Sequence, residues 1–166
     1  RSPLPALHEA LCKVAFFLPL RPCPPADFYR PDRRWYSGRW AVRILIVEDS
    51  ALVQRMYGLA FPQRLHQLVC AANGRDALGI LDAEVQPFDL ILLDLRMPDM
   101  NGVEFLAALS CRRSIPIPVV LTTAEPSDSP LVAEARSLGA AAVVHKPWKP
   151  LDLQAVVRQV VPEGIL

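Results

Sequence analysis

Asp89-Leu-Ile-Leu-Leu-Asp-Leu-Arg-Met-Pro-Asp-Met-Asn-Gly102 is the stretch that decides the fold of this chain. It opens inside an apolar run, Phe88–Leu93, that follows Pro87 and is too short for a helix. Such a run reads as a strand buried on both faces. It stops at a carboxylate, Asp94, and a loop of turn-forming residues follows, Met97 to Gly102. Val103–Leu109 then reads as a helix with Phe105, Leu106 and Leu109 inward. Strand, polar end, loop and helix are the repeating unit of a parallel sheet.

The same unit recurs on both sides. Val42–Val47 is a β-branched apolar run that ends at Glu48-Asp49, and Ser50 offers an N-cap to a helix over Ala51–Ala60, closed by Pro62. Leu68–Ala72 is a second strand ending at the turn signal Asn73-Gly74, with a helix over Arg75–Ala83. Ile117–Leu121 is a fourth strand ending at Thr122-Thr123; a loop over Pro126–Pro130 leads to a helix, Leu131–Leu138, stopped by Gly139. Ala141–Val144 is a fifth strand ending at His145-Lys146-Pro147, and Leu151–Val160 is a last helix with Asp152 in its first turn. The expectation is an α/β fold: a doubly wound five-stranded parallel sheet flanked by helices, every strand covered on both faces.

Composition sets the frame around this body. Apolar residues make up 52% of the 166, enough for a substantial core. Residues 1–40 hold seven of the 17 prolines and seven basic against three acidic residues. Proline at that density blocks long helices and central strands, so 1–40 is expected to be a poorly ordered Pro/Arg-rich extension. Residues 41–161 form the domain, and 162–166 are a tail. Residues 41–166 carry eleven basic and fourteen acidic side chains, a balance that argues against direct nucleic-acid binding. No apolar run approaches the roughly 18 residues that span a membrane. Four cysteines without a CxxC spacing read as free thiols, with Cys70 and Cys111 at least half-buried. The expected compartment is the cytoplasm.

Every chemically capable side chain singled out falls at a strand's carboxyl end: Glu48 and Asp49, Asp94, Thr122 and Thr123, Lys146. A parallel sheet brings those ends to one edge, where such folds place their sites. Three carboxylates crowded there repel one another unless a cation intervenes. Oxygen ligands suit a hard divalent ion, most simply Mg²⁺. A metal and a lysine facing a carboxylate are what phosphoryl transfer to that carboxylate needs.

Four segments carry a family resemblance: Ile44–Ser50, Asp89–Gly102, Val119–Ala124 and Val143–Pro147. Together, in order and with these spacings, they resemble the signature stretches of response-regulator receiver domains over about 120 residues. The resemblance implies a flavodoxin-like (CheY-like) fold. It implies a phosphorelay module that takes a phosphoryl group from a sensor histidine kinase or phosphotransfer protein and switches a face toward a downstream target protein or output domain. Asp94 resembles the phosphoacceptor. Asp49 resembles the direct metal ligand and Glu48 its water-mediated neighbour, and the backbone carbonyl of Arg96 matches the position that completes the metal shell. Thr123 resembles the switch hydroxyl, ahead of Thr122, and Lys146 the lysine that pairs with the phosphorylated aspartate. Val143 departs from the pattern, standing where the family often has an aromatic switch residue.

Other readings are weaker. A haloacid-dehalogenase-type phosphatase needs a second Asp two residues after the nucleophile, and Arg96 stands there. A dinucleotide site needs GxGxxG after the first strand, where Glu48-Asp49-Ser50 stands instead, and a P-loop is absent. A receiver-like module that works without phosphorylation is the remaining alternative.

Overall fold

The computed structural model describes residues 35–36, 39–40, 42–112 and 117–161. Most of the extension and the tail at 162–166 lie outside the described residues. Within the extension, Trp35–Tyr36 pairs antiparallel with Arg39–Trp40. This is regular structure that the sequence reading did not expect, and it follows the last proline of the cluster, Pro31.

From Arg43 on, strands and helices alternate: β1 (Arg43–Val47), α1 (Ala51–Ala60), β2 (Gln67–Ala71), α2 (Gly74–Ala83), β3 (Leu90–Leu93), α3 (Gly102–Ser110), β4 (Val119–Thr123), α4 (Pro130–Ser137), β5 (Ala142–His145) and α5 (Pro150–Val160). The strands form one parallel sheet in the order β2-β1-β3-β4-β5. That is the doubly wound, flavodoxin-like order.

Alternation along the central strands divides the core in two. Ile44, Ile46, Leu90, Leu92 and Val120 face α1 and α5, where they meet Tyr57, Phe61, Leu153 and Val157. Leu45, Val47, Ile91, Leu93 and Leu121 face the other way, toward Phe105, Leu106 and Val132. Each such side chain, fully withdrawn from water, contributes about 1.5–3 kcal/mol. The expectation of burial on both faces holds for β1, β3 and β4 but not for the outer strands: β2 exposes Gln67 and Cys70, and β5 is half-buried. Edge strands have a neighbour on one side alone, so solvent reaches their margins.

Helix starts are set by side-chain caps. Ser50 caps α1, Asn73 caps α2, and Asn101 forms a reciprocal capping box with Glu104 at the start of α3. Asn73-Gly74 is thus a helix start, not merely a turn. Gly139, at φ 102°, ends α4 in the left-handed region as its sequence position implied. Cys70 is a free thiol exposed on an edge strand, and Cys111 is disulfide-bonded. The sequence reading of half-buried free thiols holds for the free state of Cys70 but not for its burial, and for the burial of Cys111 but not for its free state, because residue spacing reveals neither edge position nor pairing.

Candidate functional site

Backbone bonds just past the strands tie the carboxyl end of β1 to those of β2 and β3, and that of β4 to that of β5. Asp94 N–H donates to Val47 C=O at 2.9 Å, Glu48 N–H to Ala71 C=O at 3.0 Å, and Lys146 N–H to Thr123 C=O at 2.8 Å. These bonds fix where the side chains that follow each strand can point.

Glu48, Asp49 and Asp94 converge, each offering a carboxylate oxygen within 4.8 Å of the others. Glu48 and Asp94 are buried, at 1% and 6% exposure, and Asp49 is exposed. Lys146 Nζ bridges the buried two, donating to Glu48 Oε2 at 2.7 Å and to Asp94 Oδ2 at 2.8 Å. Burial, above all, pushes the Glu48 carboxyl above its ordinary range, against the opposing pull of Lys146. Burial alone would lower the Lys146 ammonium, but its bonds to Asp94 and Glu48 outweigh this and raise it. Three carboxylates around a single ammonium also leave an excess of negative charge, which favours a bound cation.

The donor set is all hard oxygen, partly buried and partly open through Asp49, and so fits a hydrated divalent ion. Asp94 Oδ1 is already oriented by the backbone N–H of Arg96 at 3.3 Å. The Arg96 side chain points elsewhere. Its Nε donates to Glu125 Oε1 at 2.6 Å, and Glu125 Oε2 accepts from Ser129 Oγ at 2.9 Å. The backbone N–H of Glu125 in turn donates to Thr123 Oγ1 at 3.1 Å. That bond leaves the Thr123 hydroxyl hydrogen available as a donor.

The sequence placed both threonines after the fourth strand, whereas the structure carries β4 through them. Consecutive strand residues face opposite ways, which separates the pair. Thr122 turns into the α1–α5 core and meets the Tyr57 hydroxyl at 2.5 Å; Thr123 bonds to the loop beyond β4. Val143 is half-buried and packs with the opposite core, with no ring to offer the site. Tyr57, Glu125 and Ser129 took no part in the sequence reading of the site, because none carries a local signal linking it to a strand end.

A parallel sheet in this strand order, with an acidic cluster and a lysine at its carboxyl edge, is the arrangement of CheY-like receiver domains. The sequence profile of the response regulator receiver domain matches residues 44–158. The chain belongs to this family and contains a receiver domain of two-component signalling. Regulatory protein AtoC of Escherichia coli is 37% identical over 117 residues, covering 70% of this chain and 24% of that protein. A protein-glutamate methylesterase/protein-glutamine glutaminase of Treponema pallidum is 38% identical over 125 residues, covering 72% of this chain and 30% of the relative. This chain therefore spans less than a third of either protein. The chemotaxis response regulator CheY4 of Vibrio cholerae superposes with a TM-score of 0.63 at 29% identity, covering 73% of this chain and 99% of that one.

Proposed function

We propose that residues 41–161 act as a phospho-accepting switch: Asp94 takes a phosphoryl group from the phosphohistidine of a sensor kinase or phosphotransfer protein. The observation that carries this reading is Lys146, held at hydrogen-bond distance from both Asp94 and Glu48 at the carboxyl edge of the sheet. In the transfer, an Asp94 carboxylate oxygen forms the new O–P bond. The N–P bond of the donor breaks and its electron pair stays on the imidazole. Lys146 presents fixed positive charge to the moving group, and the Thr123 hydroxyl donates to one of its oxygens.

Glu48, Asp49, Asp94 and the carbonyl of Arg96 are the groups that would hold Mg²⁺, with Asp49 direct and Glu48 through water. The bound ion would supply charge against the oxygens of the transferring group. The chain itself is read as a signalling module that assists its own phosphotransfer and dephosphorylation, not as an enzyme with a separate substrate. The convergence of Glu48, Asp49, Asp94 and Lys146 supports this reading over the phosphorylation-independent alternative.

Val143 is small and stiff at χ1, so it offers little difference in packing between two states. The switch then acts through the backbone from Thr123 to Pro130, a loop held by polar contacts, toward a partner face at residues 131–138 and 143–158. No described helix is long and apolar enough to cross a membrane, and the proposed compartment is the cytoplasm. The disulfide at Cys111 is the opposing observation, and thiol trapping in intact cells decides between them.

The test of the whole reading is labelling. With Mg²⁺ and acetyl phosphate, or a phosphorylated kinase, the chain should gain one acid-stable, base-labile phosphate, and Asp94→Asn should gain none. Equal labelling of the variant sinks the assignment.

A further inference from the structure

Trp148 lies two residues after Lys146, and both it and Tyr57 are buried. The two rings are 4.9 Å apart between centroids and tilted by 31°. The Tyr57 hydroxyl meets Thr122 Oγ1 at 2.5 Å in the same core. Both atoms are withdrawn from water, so the pair is a buried polar contact whose loss leaves a group unsatisfied. Burial, first of all, holds the Tyr57 phenol well above its ordinary range, so it is neutral and its hydrogen is always present.

Tyr57 thus touches the immediate neighbourhood of Lys146, which meets Asp94, and of Thr123, the hydroxyl of the proposed switch. Through Thr122 it is one residue from Thr123, and through Trp148 two from Lys146. Tyr57 sits on α1, and Trp148 opens the segment into α5. Val143, half-buried in the opposite core, has no comparable contact.

We propose that Tyr57 is a positioning residue that couples the state of the Asp94 site to the α1–α5 face. It holds Thr122 by its hydroxyl and Trp148 by its ring, and any movement of Thr123 or Lys146 reaches α1 through it. The inference rests on the phospho-accepting reading. The coupling is geometric: close-packed interiors transmit displacements because they cannot deform smoothly.

The experiment maps backbone amide shifts of the full chain with Mg²⁺ alone and with Mg²⁺ and beryllofluoride. In the unaltered chain, Thr123, Lys146 and the α1 residues around Tyr57 should all shift. In Tyr57→Phe, which keeps the ring, Thr123 and Lys146 should still shift while α1 loses most of its response. Thr122→Val removes the same hydrogen bond from the other side and should reproduce that loss, and the double variant should lose no more than either. A merely structural role predicts uniform destabilisation without this split. An undiminished α1 response in both variants overturns the inference and leaves the phospho-accepting reading intact. Silence at Thr123 and Lys146 in the unaltered chain overturns both.

Discussion

The Lys146 ammonium donates to Asp94 at 2.8 Å across 52 positions of sequence, and the same nitrogen reaches Glu48 at 2.7 Å. One cation therefore bridges two buried carboxylates that follow separate strands. Lys146→Ala should leave them facing each other without a counter-charge. The expected loss of stability is about 1–3 kcal/mol, the cost of stranding a buried polar partner. Saturating Mg²⁺ should recover part of that loss by replacing the missing charge. Urea unfolding with and without Mg²⁺ checks this, and a loss that Mg²⁺ leaves unchanged means that the ion does not sit at this cluster.

Asp49 is the exposed member of the acidic triad. Asp49→Ala should weaken Mg²⁺ binding at least about tenfold by removing a charged oxygen ligand. A pH dependence accompanies it. The buried Glu48 carboxyl titrates above the usual 4.5, and its proton competes with the ion. Affinity should be full above that raised value and fall as pH drops through it. Calorimetric titration over a pH series tests both claims; equal affinity in variant and parent would put the metal elsewhere.

Gly102 opens α3 directly against the backbone that follows β3. A methyl group there would overlap the carbonyl oxygen of Asp94 and sit 2.8 Å from Leu95 Cα, both backbone atoms that cannot step aside cheaply. Gly102→Ala should cost about 1–3 kcal/mol, as overpacking does. Gly58 is the control, lying within α1 with open space around it. Gly58→Ala should be neutral or stabilise by up to about 1 kcal/mol through helix propensity. Thermal unfolding that ranks the two the other way round contradicts the packing account.

The extension at 1–40 is expected to be dispensable for the fold. Deleting it under reducing conditions should change unfolding free energy by less than about 1 kcal/mol, as for a segment that buries little. A much larger loss shows that it docks on the domain.

The order of elements could be read from the sequence because each strand is a short apolar run with a polar end, and each helix has a local stop or start such as Pro62 or Gly139. Boundaries slipped where a residue serves two signals. Asn73-Gly74 marks a turn and also caps α2; Thr122-Thr123 looks like the end of a strand yet belongs to it. The expectation that all strands are buried failed at β2, because composition does not say which strand lies at the edge.

Among the candidate site residues, the sequence by itself determined which side chains follow which strand, since that depends only on local order. Strand order, burial and long-range pairing belonged to the tertiary structure. It buried Glu48 while leaving Asp49 in solvent, and it turned Thr122 to Tyr57 while Thr123 met the loop after β4. It also bound Arg96 to Glu125, 29 residues away, with no local motif to announce the pair. The reason is physical: neighbours in a chain share a segment, but charge pairing and desolvation depend on distances through space, which only the packed sheet sets.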